Sequence, residues 1–196
     1  MRTMAFVIAL ALLFLSSCSG SRATSEKTDP TPPKVDPTSE KIDPELEQAK
    51  QDIYRVVASQ TCGYAIVYIY PEVERYPLYG SEIEYALKQL PGASPETWDS
   101  YRLVNDPNQQ IATFSDFPIN CQYEFVSPTH VVCAGGDTDC IIPYGFSAIG
   151  FNKAGTQALV YMYRDCSECG GGGSIYLLAK REGSWVIINS VVLSVS

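Results

Sequence analysis

Histidine is almost missing from this sequence: His130, in VSPTHVVCA, is the only one in 196 residues. A catalytic cysteine or serine would therefore have one imidazole to draw on, with Cys121 and Cys133 close by in the chain. No nucleophile elbow or oxyanion loop accompanies them, and a lone histidine at a strand edge reads as ordinary surface. Charge is scarce too, at 18% Asp, Glu, Lys and Arg, and it is lopsided, with 14 Lys and Arg against 22 Asp and Glu. A net charge of −8 disfavours binding to nucleic acid or anionic lipid through charge, so no nucleic-acid partner is expected. Long apolar runs are missing as well. The longest, Met4 to Leu15, is too short to span a bilayer as a helix, which needs ~20 residues.

That run has the length of a signal-peptide core and follows Arg2. It ends in Leu15-Ser16-Ser17-Cys18, which resembles the bacterial lipobox: a branched apolar residue, two small residues, then cysteine. The resemblance implies a signal peptide over residues 1–17, cleavage before Cys18, and diacylglycerol on its sulfur. A lipoprotein carrying palmitate or similar chains would hold to the membrane by that lipid alone, since two or more chains give stable anchoring. Ser19 after the cysteine favours an outer membrane if the organism has one, and otherwise the outer face of the plasma membrane.

Six further cysteines remain: Cys62, Cys121, Cys133, Cys140, Cys166 and Cys169. In an exported chain an even number reads first as disulfides, although six allow about 15 pairings and the connectivity stays open. The local pairs are Cys166–Cys169 and Cys133–Cys140, with Cys62–Cys121 as the long-range remainder.

Residues 18–43 shift to Ser, Thr, Pro, Glu, Lys and Asp, and TDPTPPK, VDPTSEK and IDPELEQ form an imperfect repeat with Asp29-Pro30, Asp36-Pro37 and Asp43-Pro44 in register. Such a stretch has nothing to bury and reads as a solvated tether. Residues 44–196 are long enough for one domain with a real core. Asp43 as N-cap, Pro44 and Glu45 open a helix over 44–59, with Leu46, Ile53, Tyr54 and Val57 on one side. TCGYAIVYIYP predicts a strand. Ser81-Glu82-Ile83-Glu84 has the pattern of a capping box and predicts a helix to about Leu90. Ser94-Pro95-Glu96 starts another, to about Asn105. QIATF, CQYEFVS, HVVCA, GFSAIGFN, QALVYMYR, SIYLLAK and SWVIINSVVLSV then read as strands. The expectation is an α+β fold, with helices mainly in the N-terminal half and a curved antiparallel sheet, ending in a meander, in the C-terminal half.

With these elements placed, the chain resembles a family of uncharacterised bacterial lipoproteins and exported proteins. The likeness rests on Leu90, Pro91, Glu96, Thr97 and Asn105, then Ser147, Gly150, Phe151 and Asn152, then Ala158 to Tyr161, Leu177, Leu178, Lys180, Gly183, Trp185 and Val186. The chain departs from the family pattern at CAGGDTDCIIPYG, where a Trp-containing helix is usual, and at its end, LSVS, which lacks the tryptophan. The resemblance implies a fold and an address and carries no activity.

The stretch DCSECGGGGS joins QALVYMYR to SIYLLAK and so sits at a hairpin tip, where Cys166–Cys169 reads as a staple. A redox CxxC needs a helix behind its first cysteine, and four glycines oppose one. A zinc site would need Cys133 and Cys140 to converge on the same point. Carboxylates are many (Glu72, Glu74, Glu82, Glu84, Asp137, Asp139, Asp165, Glu168), but no spacing selects a pair, and GGDTDC lacks the later Gly and Glu of a calcium loop. No catalytic residue, metal ligand or cofactor is assigned.

In YAIVYIY, alternation puts Tyr64, Tyr68 and Tyr70 on one face, where they could meet a protein or envelope-glycan partner. Alternatively these rings close a sheet–helix core. The reading is a non-enzymatic binding or structural domain displayed off the membrane of a bacterial cell envelope. The alternative is a thiol-disulfide oxidoreductase or metal-binding module built on Cys166 and Cys169.

Overall fold

The computed structural model describes residues 43–63, 66–110, 112–127, 141–165 and 171–195. The signal peptide, Cys18, nearly all of the tether, Tyr64, His130, Asp137, Asp139, Glu168 and the four cysteines Cys133, Cys140, Cys166 and Cys169 lie outside the described residues. Among those described there are three α-helices: α1 (Pro44–Ala58), α2 (Ser81–Gln89) and α3 (Pro95–Val104). The strands are β1 (Val67–Glu74), β2 (Tyr123–Phe125), β3 (Tyr144–Ser147), β4 (Gly150–Phe151), β5 (Gln157–Arg164), β6 (Gly172–Arg181) and β7 (Ser184–Val195). No helix among the described residues is long and apolar enough to cross a membrane.

The helix starts follow from local chemistry. Asp43 caps α1 by accepting from the Glu45 N–H at 3.0 Å, with Pro44 in the first turn. Ser94 caps α3 the same way, accepting from the Thr97 N–H at 3.2 Å ahead of Pro95. The opening of α2 differs from expectation. Gly80, at φ 45°, occupies the cap position and Ser81 is already helical, so no side chain caps this end. Glu82 instead reaches back to accept from the Tyr79 N–H at 3.4 Å.

The fold is α+β, with the helices early and most strands late. The sheet, however, is mixed rather than antiparallel. Its order is β2-β1-β3-β5-β6-β7, with β4 also paired to β5. β1 runs parallel to both β2 and β3, while β5, β6 and β7 form an antiparallel meander. The parallel pairs are possible because the chain leaves β1, crosses through α2 and α3, and returns from a distance. Pro71 sits inside β1 without a ladder donor, and the register with β3 shifts between Ile69 and Val73. QIATF contributes one antiparallel bridge, Thr113 opposite Glu72, rather than a strand.

Both faces of the sheet are covered, each by its own cluster. On one, Ile53, Tyr54 and Val57 of α1 pack with Val67, Ile69, Phe117, Phe146, Val160, Leu178 and Trp185. On the other, Ala86 of α2, Leu90 just after it, and Trp98 and Tyr101 of α3 pack with Leu159, Tyr161, Ile175 and Leu177. Alternation along β5 divides its side chains: Ala158, Val160 and Met162 go to the α1 side, and Leu159 and Tyr161 to the other. Gly150 lets α3 lie directly on the sheet, because a Cβ there would stand 2.3 Å from the Tyr101 amide nitrogen.

Candidate functional site

The sequence pointed to tyrosines, and the structure gathers several of them on the α2/α3 side. Tyr76 stacks on Tyr161 with ring centroids 3.8 Å apart and the planes at 22°. Tyr163 continues the row 6.1 Å from Tyr161, and Tyr70 lies 6.3 Å beyond Tyr163. This row is built into the core. Tyr70 is 2% exposed and Tyr161 1%, so the ring of Tyr70 is buried and not displayed to a ligand. The partners of Tyr70 are Tyr163, whose ring lies 6.3 Å away, and Asp165, near and just past the far end of β5 in the sequence. Tyr68 is half-buried and lies opposite Glu124 of β2.

Two hydroxyls of the row, those of Tyr70 and Tyr163, lie near carboxylates. Tyr70 donates to Asp165 at 3.0 Å, and burial together with that bond raises its pKa above the ordinary tyrosine value. The Tyr163 hydroxyl is buried and makes no hydrogen bond of ordinary geometry. Burial, then the nearby Glu74 carboxylate, pushes its pKa well above the usual value. These phenols stay protonated at any physiological pH and are poor candidates for general bases.

Of the cysteines, Cys62 and Cys121 are joined as a disulfide, with Cα atoms 5.7 Å apart across a sequence separation of 59. This is the long-range pair of the sequence reading. It ties the end of α1 to the segment leading into β2. The described residues hold no group of three or more His, Cys, Asp or Glu that could bind a metal ion. Glu72, Glu74, Glu82, Glu84 and Asp165 are thus not brought together as a metal site.

An open groove lies elsewhere, on the α1 side of the sheet. Met162 lines it, and Ser174 of β6 stands opposite Met162. Tyr144 of β3 and Gly172 of β6 flank Arg164 at the end of β5, and Val192 of β7 pairs with Ser174. Alternation from Met162 places Tyr144, Arg164, Gly172, Ser174 and Val192 on one face. α1 covers this face near Phe146 and Trp185, while Val192 remains 57% exposed. The groove encloses about 210 Å³. Sites for drug-sized ligands run to ~300–1,000 Å³, so this one suits one or two side chains rather than a whole cofactor.

Its chemistry is simple. The walls are aromatic and aliphatic, the glycines remove side chains from the β6 strip, Ser174 offers one hydroxyl, and Arg164 is the sole charged residue of the lining. Among the described residues Arg164 makes no ion pair. Sequence reasoning missed this site because its residues come from four strands. The available signal was the pair Gly172-Gly173 just after the hairpin tip, read there as turn glycines, whereas both belong to β6.

Compared with protein-family models, curated proteins and solved structures, the chain matches none of them.

Proposed function

We propose that this protein is a lipid-anchored binding domain of a bacterial cell envelope, held off the membrane by its Pro-rich tether and non-enzymatic. The Leu15-Ser16-Ser17-Cys18 motif, the tether composition and the likeness to envelope lipoproteins support the address. The observation that carries the binding role is the groove on the α1 side of the sheet, with Met162 and Val192 apolar and Arg164 the single charge. A protein segment suits it better than a glycan. A sugar needs many hydrogen-bonding groups, and the side chains here offer few; an apolar side chain next to a carboxylate would use Met162 and Arg164 together.

Two measurements test this. Metabolic labelling with a clickable fatty acid should mark the wild-type chain and leave Cys18→Ser unlabelled and released from the membrane. Labelling that persists in Cys18→Ser would remove the anchor reading. A photo-crosslinking residue at Tyr144 should give a defined adduct with an envelope protein in the native organism, and Arg164→Glu should abolish it. No adduct at Tyr144, or one indifferent to Arg164→Glu, would remove the groove reading.

A further inference from the structure

Among the described residues the strand order leaves two edges of very different character. β2 closes one side with three residues, Tyr123–Phe125, and carries Glu124. β7 closes the other with twelve, Ser184–Val195. From Trp185 to Val195 the sequence WVIINSVVLSV holds no Asp, Glu, Lys, Arg or Pro. Long edge strands are normally protected by charge, proline, shortness or a covering element, because their outer N–H and C=O groups template another strand. β7 has two register shifts, opposite Leu177/Leu178 and Gly173/Ser174. Between them Asn189 to Val192 pair regularly with β6. Asn189 Oδ1 accepts from the Ser190 N–H at 2.8 Å, a bond that pairing with another strand would replace. Ile188 is 37% exposed and Val192 57% exposed, and Asn189 and Ser190 are exposed between them.

We propose that this edge pairs with β7 of a second copy of the chain, antiparallel about a twofold axis at Ser190. The inference rests on β7's place in the sheet and does not depend on the groove reading. Self-pairing centred on Ser190 sets Ile188 of each copy opposite Val192 of the other, so the two exposed apolar side chains of the strand cover each other twice. No other register does this. The interface is isologous, as closed dimers require. Charge selects the same surface. Two chains at −8 repel each other over most of their surface, and an edge with no ionisable side chain is where contact brings no like charges together.

The test uses the full chain with a photo-crosslinking residue at Ile188, expressed in bacteria. An adduct of twice the chain's mass, containing only peptides of this chain, is expected. The same residue at Leu103, 65% exposed on α3, should give none. Ser190→Lys should lower the Ile188 adduct by about ten-fold, because like charges directly opposite each other disfavour pairing, whereas Ser190→Thr should keep it. Val192→Lys is a second route to the same loss should Ser190→Lys disturb folding. Absence of the dimer adduct at Ile188, an adduct with a different protein only, or a dimer adduct unchanged by both Lys variants would overturn the proposal.

Discussion

The ring of Tyr161 lies across Gly173 on the neighbouring strand, so that a methyl group built on that glycine would stand 1.9 Å from the tyrosyl oxygen. The ring cannot step aside, because Tyr76 stacks on it at 3.8 Å and Tyr163 follows in the same row. Gly145 stands to Tyr163 in the same way, with a would-be Cβ 2.2 Å from that ring. Each tyrosine thus fills the space its glycine leaves open.

Gly173→Ala should therefore destabilise the fold by about 1–3 kcal/mol, the usual cost of overpacking. Gly63→Ala is the control, since a Cβ at Gly63 meets nothing within 4 Å. Urea unfolding monitored by tyrosine and tryptophan fluorescence would separate the two. Equal midpoints would show that the tyrosine row is looser than its stacking implies.

Asn105 is fully buried and joins the end of α3 to the corner between β3 and β4. Its amide nitrogen donates to the carbonyls of Tyr101 and Ala148, both at 2.9 Å, and its oxygen accepts from the Ala148 N–H at 3.1 Å. Asn105→Ala leaves buried backbone groups without partners and should cost roughly 2–4 kcal/mol. Asn105→Asp should be no better, because a carboxylate keeps the acceptor but faces two carbonyl oxygens. Thermal unfolding of both variants at neutral pH checks the ordering.

Removing the Cys62–Cys121 bridge frees a segment of 59 residues in the unfolded chain. Loop-closure entropy assigns such a crosslink roughly 4 kcal/mol. The double variant Cys62→Ala/Cys121→Ala should unfold at a correspondingly lower denaturant concentration, with the slope of the transition increased as its unfolded chain expands. An unchanged midpoint would place the two segments' association in packing alone.

Alkali should unfold this protein through its tyrosines. Tyr54 and Tyr101 are buried, and burial above all raises their pKa values above the ordinary value of 10.0. The folded state therefore keeps protons that the unfolded chain releases near pH 10. Stability is fully present below that pH and falls above it, by up to about 1.4 kcal/mol per pH unit for each such group. Denaturation curves between pH 8 and pH 11.5, with tyrosinate absorbance followed in parallel, should show ionisation of the buried phenols only as the fold is lost. Early, non-cooperative ionisation of all tyrosines would contradict their burial.

The helices were legible to different degrees. Those that open with Asp43-Pro44 and Ser94-Pro95 begin where the sequence places them, because a capping oxygen and a proline act within a few residues. SEIE matched a capping box equally well, yet Gly80, at φ 45°, takes the cap and Ser81 is the first helical residue. The alternation in VYIY correctly divided β1 into two faces. It gave no sign of β1's parallel partners, since β2 and β3 lie far along the chain and no local rule names them.

The candidate sites divide along the same line. Tyr70 was visible as one of a row of tyrosines, but only tertiary packing, with Tyr163 and Asp165 beside it, made it core. Met162, Ser174 and Val192 carried no motif, and what sets Val192 opposite Ser174 is the register shift in β7. What the sequence determined alone is short in range: caps, the two-residue period of strands, a strand free of charge from Trp185 to Val195, and an acidic balance. Strand order, the face each helix covers and which strand ends the sheet among the described residues were decided only by tertiary structure. Those depend on which apolar surfaces find each other across the chain, and burial is a property of the pair rather than of either segment.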